Sequence, residues 1–202
     1  MKFICVGRNY SNHAKELNNE IPKEPVLFIK PDTAFAKPGD DWYIPEFTED
    51  LQHEVEILIK ISKVGKYIQP EFAGNYYSEI GLGIDFTARD LQDKLKEKGL
   101  PWEKSKAFDR SALIGNFVNK EKFNLDNLNF SLVKNGQIQQ KGNTSEMIFS
   151  FNFLVSYISQ YFTLKMGDII FTGTPSGVSK LKENDFLEGY IEGVQFFEVK
   201  IR

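Results

Sequence analysis

Apolar and polar positions alternate along LQHEVEILIKI at 51–61. In a β-strand this puts Val55, Ile57, Ile59 and Ile61 on one face and Glu54 and Glu56 together on the other. Short β-like runs recur as FICVG at 3–7, PVLFIKP at 25–31, FSLVKNG at 130–136, DIIFTG at 168–173 and VQFFEVKI at 194–201, several of them bounded by Gly, Pro or Asn. The Asn-Gly pair in VKNGQI predicts a hairpin between two such runs. Helical patterning is confined to 11–19 (SNHAKELNN), to 87–98, where Thr87 and Asp90 form a loose capping box, and to 144–161. Strands scattered among few helices predict a β-rich α+β fold, not a doubly wound one. No repeat, low-complexity tract or linker divides the chain, so one domain is expected over residues 1–202.

Composition narrows the function classes. Hydrophobic residues make up 41% and charged residues 26% of 202 positions, the balance of an ordinary globular chain with enough length to bury a core. Eighteen Phe and eight Tyr favour strands and an aromatic interior. The net charge is −3 and no basic tract is dense, which argues against nucleic acid or an anionic membrane as partner. Cys5 is the single cysteine, so neither an internal disulfide nor a thiolate metal site can form, and its place in FICV reads as a buried small hydrophobe. That stretch is too short for a signal-peptide core, and no window approaches the roughly 18 apolar residues of a membrane span. A soluble, cytoplasmic protein is the expectation.

The candidate chemistry starts from Glu54 and Glu56. Two like charges side by side on a strand face repel unless something positive lies between them, and a third acid, Asp85, follows in GLGIDFTARD. Together they are a candidate cradle for a hard divalent cation; a half-buried strand turning its glutamates to water is the plain alternative, and spacing alone leaves both open. Arg89 and Gln92, one helical turn apart after Asp85, suit an anionic, oxygen-rich ligand such as an α-keto carboxylate, unless Arg89 merely pairs with Asp90 or Asp93. His13 has Glu16 one turn away, a pair able to move protons near neutral pH or simply a pair on a helix surface. His53 faces away from both glutamates and reads as structural or supporting. Lys106, taken alone, reads as a solvated lysine. TGTPSGV at 172–178 lacks the ending of a P-loop; its amides and Thr174 can hold a carboxylate, or it is only a tight turn.

Seven pieces taken in order, GRNYSNHAKEL, EPVLFIKP, HEVEI, GIDFTARDLQ, KGLPWEKSKAFD, GNTSEMIF and GDIIFTGTPSGV, resemble the fumarylacetoacetate hydrolase family, in its short single-domain branch similar to acylpyruvate hydrolases. The resemblance implies a mixed β-sandwich roll with a few peripheral helices, usually a homodimer. It implies Mg2+, with Mn2+ or Ca2+ as substitutes, held by Glu54, Glu56 and Asp85. It implies a small 2-keto acid substrate contacted by Arg8, Arg89, Gln92 and Thr174, and catalysis by Lys106 with the proton-transfer pair His13 and Glu16. Ser179 stands where close relatives are expected to carry glycine. The reaction implied is hydrolysis of a carbon–carbon bond in acylpyruvates, with oxaloacetate decarboxylation as its nearest rival, since both release pyruvate as an enolate. Two other readings stay open: an isomerase, hydratase or decarboxylase of 2-oxo diacids from aromatic degradation, and a non-catalytic module that binds a metal or a carboxylate.

Overall fold

The β-branched and aromatic runs form fourteen strands in the computed structural model, which describes residues 1–11 and 22–202. A seven-stranded mixed sheet is ordered β2 (Val26–Lys30), β1 (Phe3–Gly7), β11 (Ile169–Phe171), β5 (Val55–Ile61), β6 (Tyr77–Asp85), β8 (Ala112–Asn119), β3 (Phe35–Ala36). A four-stranded antiparallel sheet is ordered β10 (Gln137–Asn143), β9 (Asn129–Lys134), β13 (Phe186–Ile191), β14 (Val194–Lys200). A small third sheet joins β12 (Ser179–Lys180), β4 (Leu51–His53) and β7 (Thr87–Ala88). Three helices accompany them among the described residues: α1 (Arg89–Glu97), α2 (Glu103–Lys106) and α3 (Phe151–Tyr161). The β-rich α+β class and the curled, sandwich-like architecture are as expected.

The main core lies between the two larger sheets. Val55, Ile57, Ile59 and Ile61 of β5 join Ile80, Leu82 and Ile84 of β6, and Leu132, Leu187, Ile191, Phe197 and Val199 of the second sheet, in one buried cluster. Each such side chain contributes about 1.5–3 kcal/mol by leaving water. Asn135 and Gly136 both take positive φ in the turn from β9 to β10, as an Asn-Gly hairpin requires.

Two helix boundaries differ from the sequence pattern. Thr87 does not cap α1: it pairs with Gln52 in β7, and α1 begins at Arg89 with no side-chain cap. The stretch 144–161 divides into a single turn, Thr144–Glu146, and α3, which Ser150 caps. Between them the Ile148 amide donates to Asn9 O at 2.8 Å and the Phe149 amide to Asn9 Oδ1 at 2.7 Å, which holds the chain out of helical geometry. The pattern at 12–19 lies outside the described residues.

Candidate active site

The three acids converge because of register. β5 and β6 are antiparallel with Val55 opposite Ile84 and Glu56 opposite Gly83, and the Asp85 amide donates to Glu54 O at 2.9 Å. Glu54, Glu56 and Asp85 therefore share one face. A Cβ on Gly83 would meet Leu58 Cδ1 at 2.8 Å and Leu113 O at 2.3 Å, so no side chain fits opposite Glu56. All three acids are buried, and one carboxylate oxygen from each lies within 4.8 Å of the others. The water-facing reading of the glutamates is thereby excluded.

Burial of three carboxylates demands countercharge, and three cations supply it. Lys106 is 3% exposed, not solvated, and its Nζ donates to Glu54 Oε2 at 2.7 Å, Asp85 Oδ2 at 2.8 Å and Thr87 Oγ1 at 2.6 Å, which uses all three protons. Burial pushes this ammonium's pKa down, but Asp85 and Glu54 carry it above its ordinary value, so Lys106 is a cation here. Arg89 turns away from Asp90 and Asp93: Nη2 pairs with Glu54 Oε1, Nε donates to Gln52 Oε1 at 2.9 Å and Nη1 to Gln92 Oε1 at 2.5 Å. Two guanidinium N–H groups and the Gln92 NH2 remain for a ligand. Asp90 instead accepts from the Thr48 hydroxyl and the Glu49 amide.

The third cation, Lys30, has no exposed surface. Its Nζ lies 2.8 Å from Asp85 Oδ1, yet its protons go to Lys106 O, Ser111 O at 3.1 Å and Ser111 Oγ at 3.0 Å. Asp85 Oδ1 thus has a neighbouring charge but no hydrogen-bond donor. Glu56 is the least compensated of the three: Oε2 accepts from the Gly173 amide at 2.7 Å, while burial, then Asp85 and Glu54, hold its carboxyl well above the usual range. A donorless aspartate oxygen beside a glutamate short of positive charge fits a hard divalent ion on an all-carboxylate set.

One cleft gathers most of the residues singled out in the sequence. Arg8, Glu54, Glu56, Asp85, Arg89, Gln92, Lys106 and Thr174 line it together with Val6, Gly7, Phe28, Lys96 and Trp102. His13 and Glu16 lie outside the described residues. The Thr174 hydroxyl is committed, donating to Val55 O at 2.8 Å and accepting from Gln140 Nε2 at 2.9 Å, so what it has left to offer a carboxylate is its backbone amide. His53 bonds Gln140 and Ser179, away from the acids, as its strand position predicted. Sequence reasoning passed over Lys30, Gln140 and Lys96. Lys30 had one signal, a lysine closing the apolar run VLFI; Lys96 had another, its place four residues after Gln92 on the same helix.

Comparison with known proteins places this geometry. The model for the fumarylacetoacetate (FAA) hydrolase C-terminal family matches residues 2–202. The chain is 44% identical over 200 residues to the mitochondrial oxaloacetate tautomerase of Bos taurus, covering 98% of this chain and 90% of the relative. It is 44% identical over 195 residues to the mitochondrial oxaloacetate decarboxylase of Dictyostelium discoideum, covering 96% of this chain and 89% of the relative. Among solved structures, fumarylpyruvate hydrolase from Pseudomonas aeruginosa, in complex with Mn2+ and pyruvate, superimposes with a TM-score of 0.93 at 35% identity, covering 100% of this chain and 89% of that one. With a family model matched almost end to end and relatives of this identity along nearly the full length, the chain belongs to the fumarylacetoacetate hydrolase family of enzymes.

Proposed function

We propose that the protein is a divalent-metal-dependent enzyme acting on small 2-oxo acids through their enolates, with enol–keto interconversion and decarboxylation of oxaloacetate as its leading reactions. The observation that carries this reading is the buried triad Glu54, Glu56 and Asp85 with a fixed ammonium, Lys106, against two of its members. The relatives named for oxaloacetate reactions support the choice of substrate.

The three acids are the residues that would hold Mg2+, Mn2+ or Ca2+; when bound, such an ion supplies Lewis acidity toward the 2-oxo and adjacent carboxylate oxygens. Arg89 and Gln92 orient that carboxylate with their unused N–H groups, and the Thr174 amide contributes a further donor. Lys106 provides fixed positive charge near the oxygen on which negative charge develops, in a site that excludes water and so strengthens the effect. His13, backed by Glu16, moves the proton: at C3 in tautomerisation, or from water in hydrolysis.

A second reading, hydrolysis of acylpyruvates, was the first choice on sequence and has its own observation. A groove of about 270 Å3 lined by Val26, Leu27, Phe28, Ile29, Leu100, Pro101 and Trp102 shares Phe28, Trp102 and Lys106 with the cleft and is apolar enough for an acyl chain.

Purified protein with Mg2+ or Mn2+ should speed ketonisation of enol-oxaloacetate and pyruvate formation, faster than it cleaves acetylpyruvate, and EDTA should abolish every activity. Faster cleavage of acetylpyruvate would reverse the two readings; turnover that survives EDTA would remove the metal from both. Glu56→Ala should weaken metal binding by more than about 100-fold in calorimetry, since losing a ligand costs more than losing its support.

A further inference from the structure

We infer that Lys96, together with Arg8, forms a second anion subsite at the mouth of the cleft that holds the distal carboxylate of a four-carbon 2-oxo dicarboxylate. The inference rests on the proposed reading of the cleft as a 2-oxo acid site and names what lies at the far end of the substrate.

Helix geometry puts Lys96 there. Arg89, Gln92 and Lys96 stand at i, i+3 and i+7 of α1, one stripe along the helix, and all three line the cleft. Asp93, Lys94 and Glu97 are exposed, whereas Lys96 is half-buried with its ammonium 5.7 Å from the Trp102 ring centre. Arg8 enters from the end of β1 with φ at 62°, a left-handed backbone that costs free energy for a residue with a Cβ.

What distinguishes this pair is the absence of a counterion among the described residues. Lys30, Lys106 and Arg89 each sit against a carboxylate. Among the described residues neither the Arg8 nor the Lys96 side chain has a hydrogen bond or an ion pair. Burial and then Arg89 hold the Lys96 pKa below its ordinary value, Asp93 opposes them, and Arg8 and Lys106 add to the depression. Cations gathered in a partly desolvated mouth, with no carboxylate in contact, are costly until an anion arrives.

Charge balance says which anion. The inner cluster of three acids and three cations is formally neutral, so a divalent ion brings an excess of two positive charges. A monoanion such as pyruvate or an acylpyruvate leaves that excess half met and Arg8 and Lys96 unmet. A dicarboxylate meets the inner excess to the same extent with its first carboxylate and places its second where Arg8 and Lys96 otherwise stand unmet. The competing description, a solvated helix lysine with no ligand, predicts that Lys96 can be changed without consequence.

The test uses two unreactive 2-hydroxy acids of equal chain length, malate and 2-hydroxybutyrate, which offer the same 2-hydroxy carboxylate and differ in a distal carboxylate against a methyl. Calorimetry on Mn2+-loaded protein should give malate at least a tenfold lower Kd. Lys96→Met, which keeps the aliphatic stem, should weaken malate about tenfold and leave 2-hydroxybutyrate within twofold; Lys96→Arg should keep the preference. Equal affinities in the unaltered protein, or equal weakening of both ligands in Lys96→Met, would overturn the subsite while leaving the 2-oxo acid reading in place. Binding of neither ligand would remove that reading and the subsite with it.

Discussion

On one face of β5, Val55, Ile57, Ile59 and Ile61 pack into the main core; on the other, Glu54 and Glu56 are buried almost as completely, at 5% and 2% exposure, among charges. The apolar face gains free energy atom by atom and loses it in proportion to what is removed. The charged face gains little in sum, because the desolvation of each ion consumes most of what its partners return. Its stability is therefore conditional: Glu54 and Asp85 are each held by two cations and Glu56 by the Gly173 amide, and deleting a cation leaves buried negative charge less compensated. Only the second arrangement can take up an ion and a substrate, since its groups are held in place while retaining unmet electrostatic demand. Cys5 and Leu58, on the same side of the sheet as Glu56, pack with Phe3, Ile169 and Phe171 in a second, smaller apolar cluster.

The largest way to break the comparison is to remove the hidden cation. Lys30→Met leaves Asp85 Oδ1 buried without a donor and without its nearest charge, Lys106 remaining on Oδ2 alone. The expected loss of stability, by urea unfolding, is about 3–5 kcal/mol, the usual cost of breaking a buried ion pair from one side. A loss below about 1 kcal/mol would mean that the charged face is not conditional in this way.

The apolar face should respond differently. Ile57→Ala removes a fully buried side chain from the main core and should cost about 2–5 kcal/mol, with the divalent-ion Kd unchanged. A tenfold change in that Kd would show that the faces are coupled through the strand and would blunt the distinction between them.

How much of this was visible in the sequence follows the same division. The strand at 55–61 was legible to the residue because Val55, Ile57, Ile59 and Ile61 recur at every second position, and the Asn-Gly pair marked the hairpin of β9 and β10. β6 was not assigned as a strand, because Gly81 and Gly83 read locally as strand breakers; only the closeness of Leu58 and Leu113 explains why nothing larger fits at 83. β8 and β13 were likewise missed. Alternation placed Glu54 and Glu56 on one face, but that Asp85 lies across from Glu54 is a matter of strand register, which no local pattern encodes. The sequence offered the triad only as a candidate, and the resemblance to a family decided for it. Lys30, Gln140 and Lys96 stayed unnoticed because their roles are defined by partners, or by the lack of them, far away in the chain.

The smallest expected effect, absent at neutral pH, tests the residue just before the acids. His53 has no exposed surface, and the hydrogen bonds around it fix its charge state. Gln140 Nε2 donates to Thr174 Oγ1 and Pro175 O, so its Oε1 is the acceptor for both the Val55 amide at 3.0 Å and His53 Nδ1 at 2.9 Å. His53 then carries its proton on Nδ1, and Nε2 accepts from the Ser179 hydroxyl at 2.8 Å while Lys134 donates to Ser179. Ser179 so completes the chain of bonds in place of the glycine expected there. A second proton on the ring would oppose the Ser179 donor, and burial lowers the pKa from 6.5 to about 4 against the raising effect of the Gln140 bond. The unfolded chain takes up a proton below about 6.5 and the folded one only near 4, so stability falls as pH drops through that window, by up to about 3 kcal/mol. Glu56, with its raised carboxyl, works in the opposite sense as pH falls, so the raw profile mixes the two. Subtracting the urea-unfolding profile of His53→Gln isolates the histidine: the difference should be level above pH 7 and grow steadily from about 6.5 toward 4. A difference that stays level throughout would mean that His53 takes up its proton in the folded protein as readily as in the unfolded chain, and one of the opposite sign would mean that its neighbours at Gln140 and Ser179 are arranged around a cation.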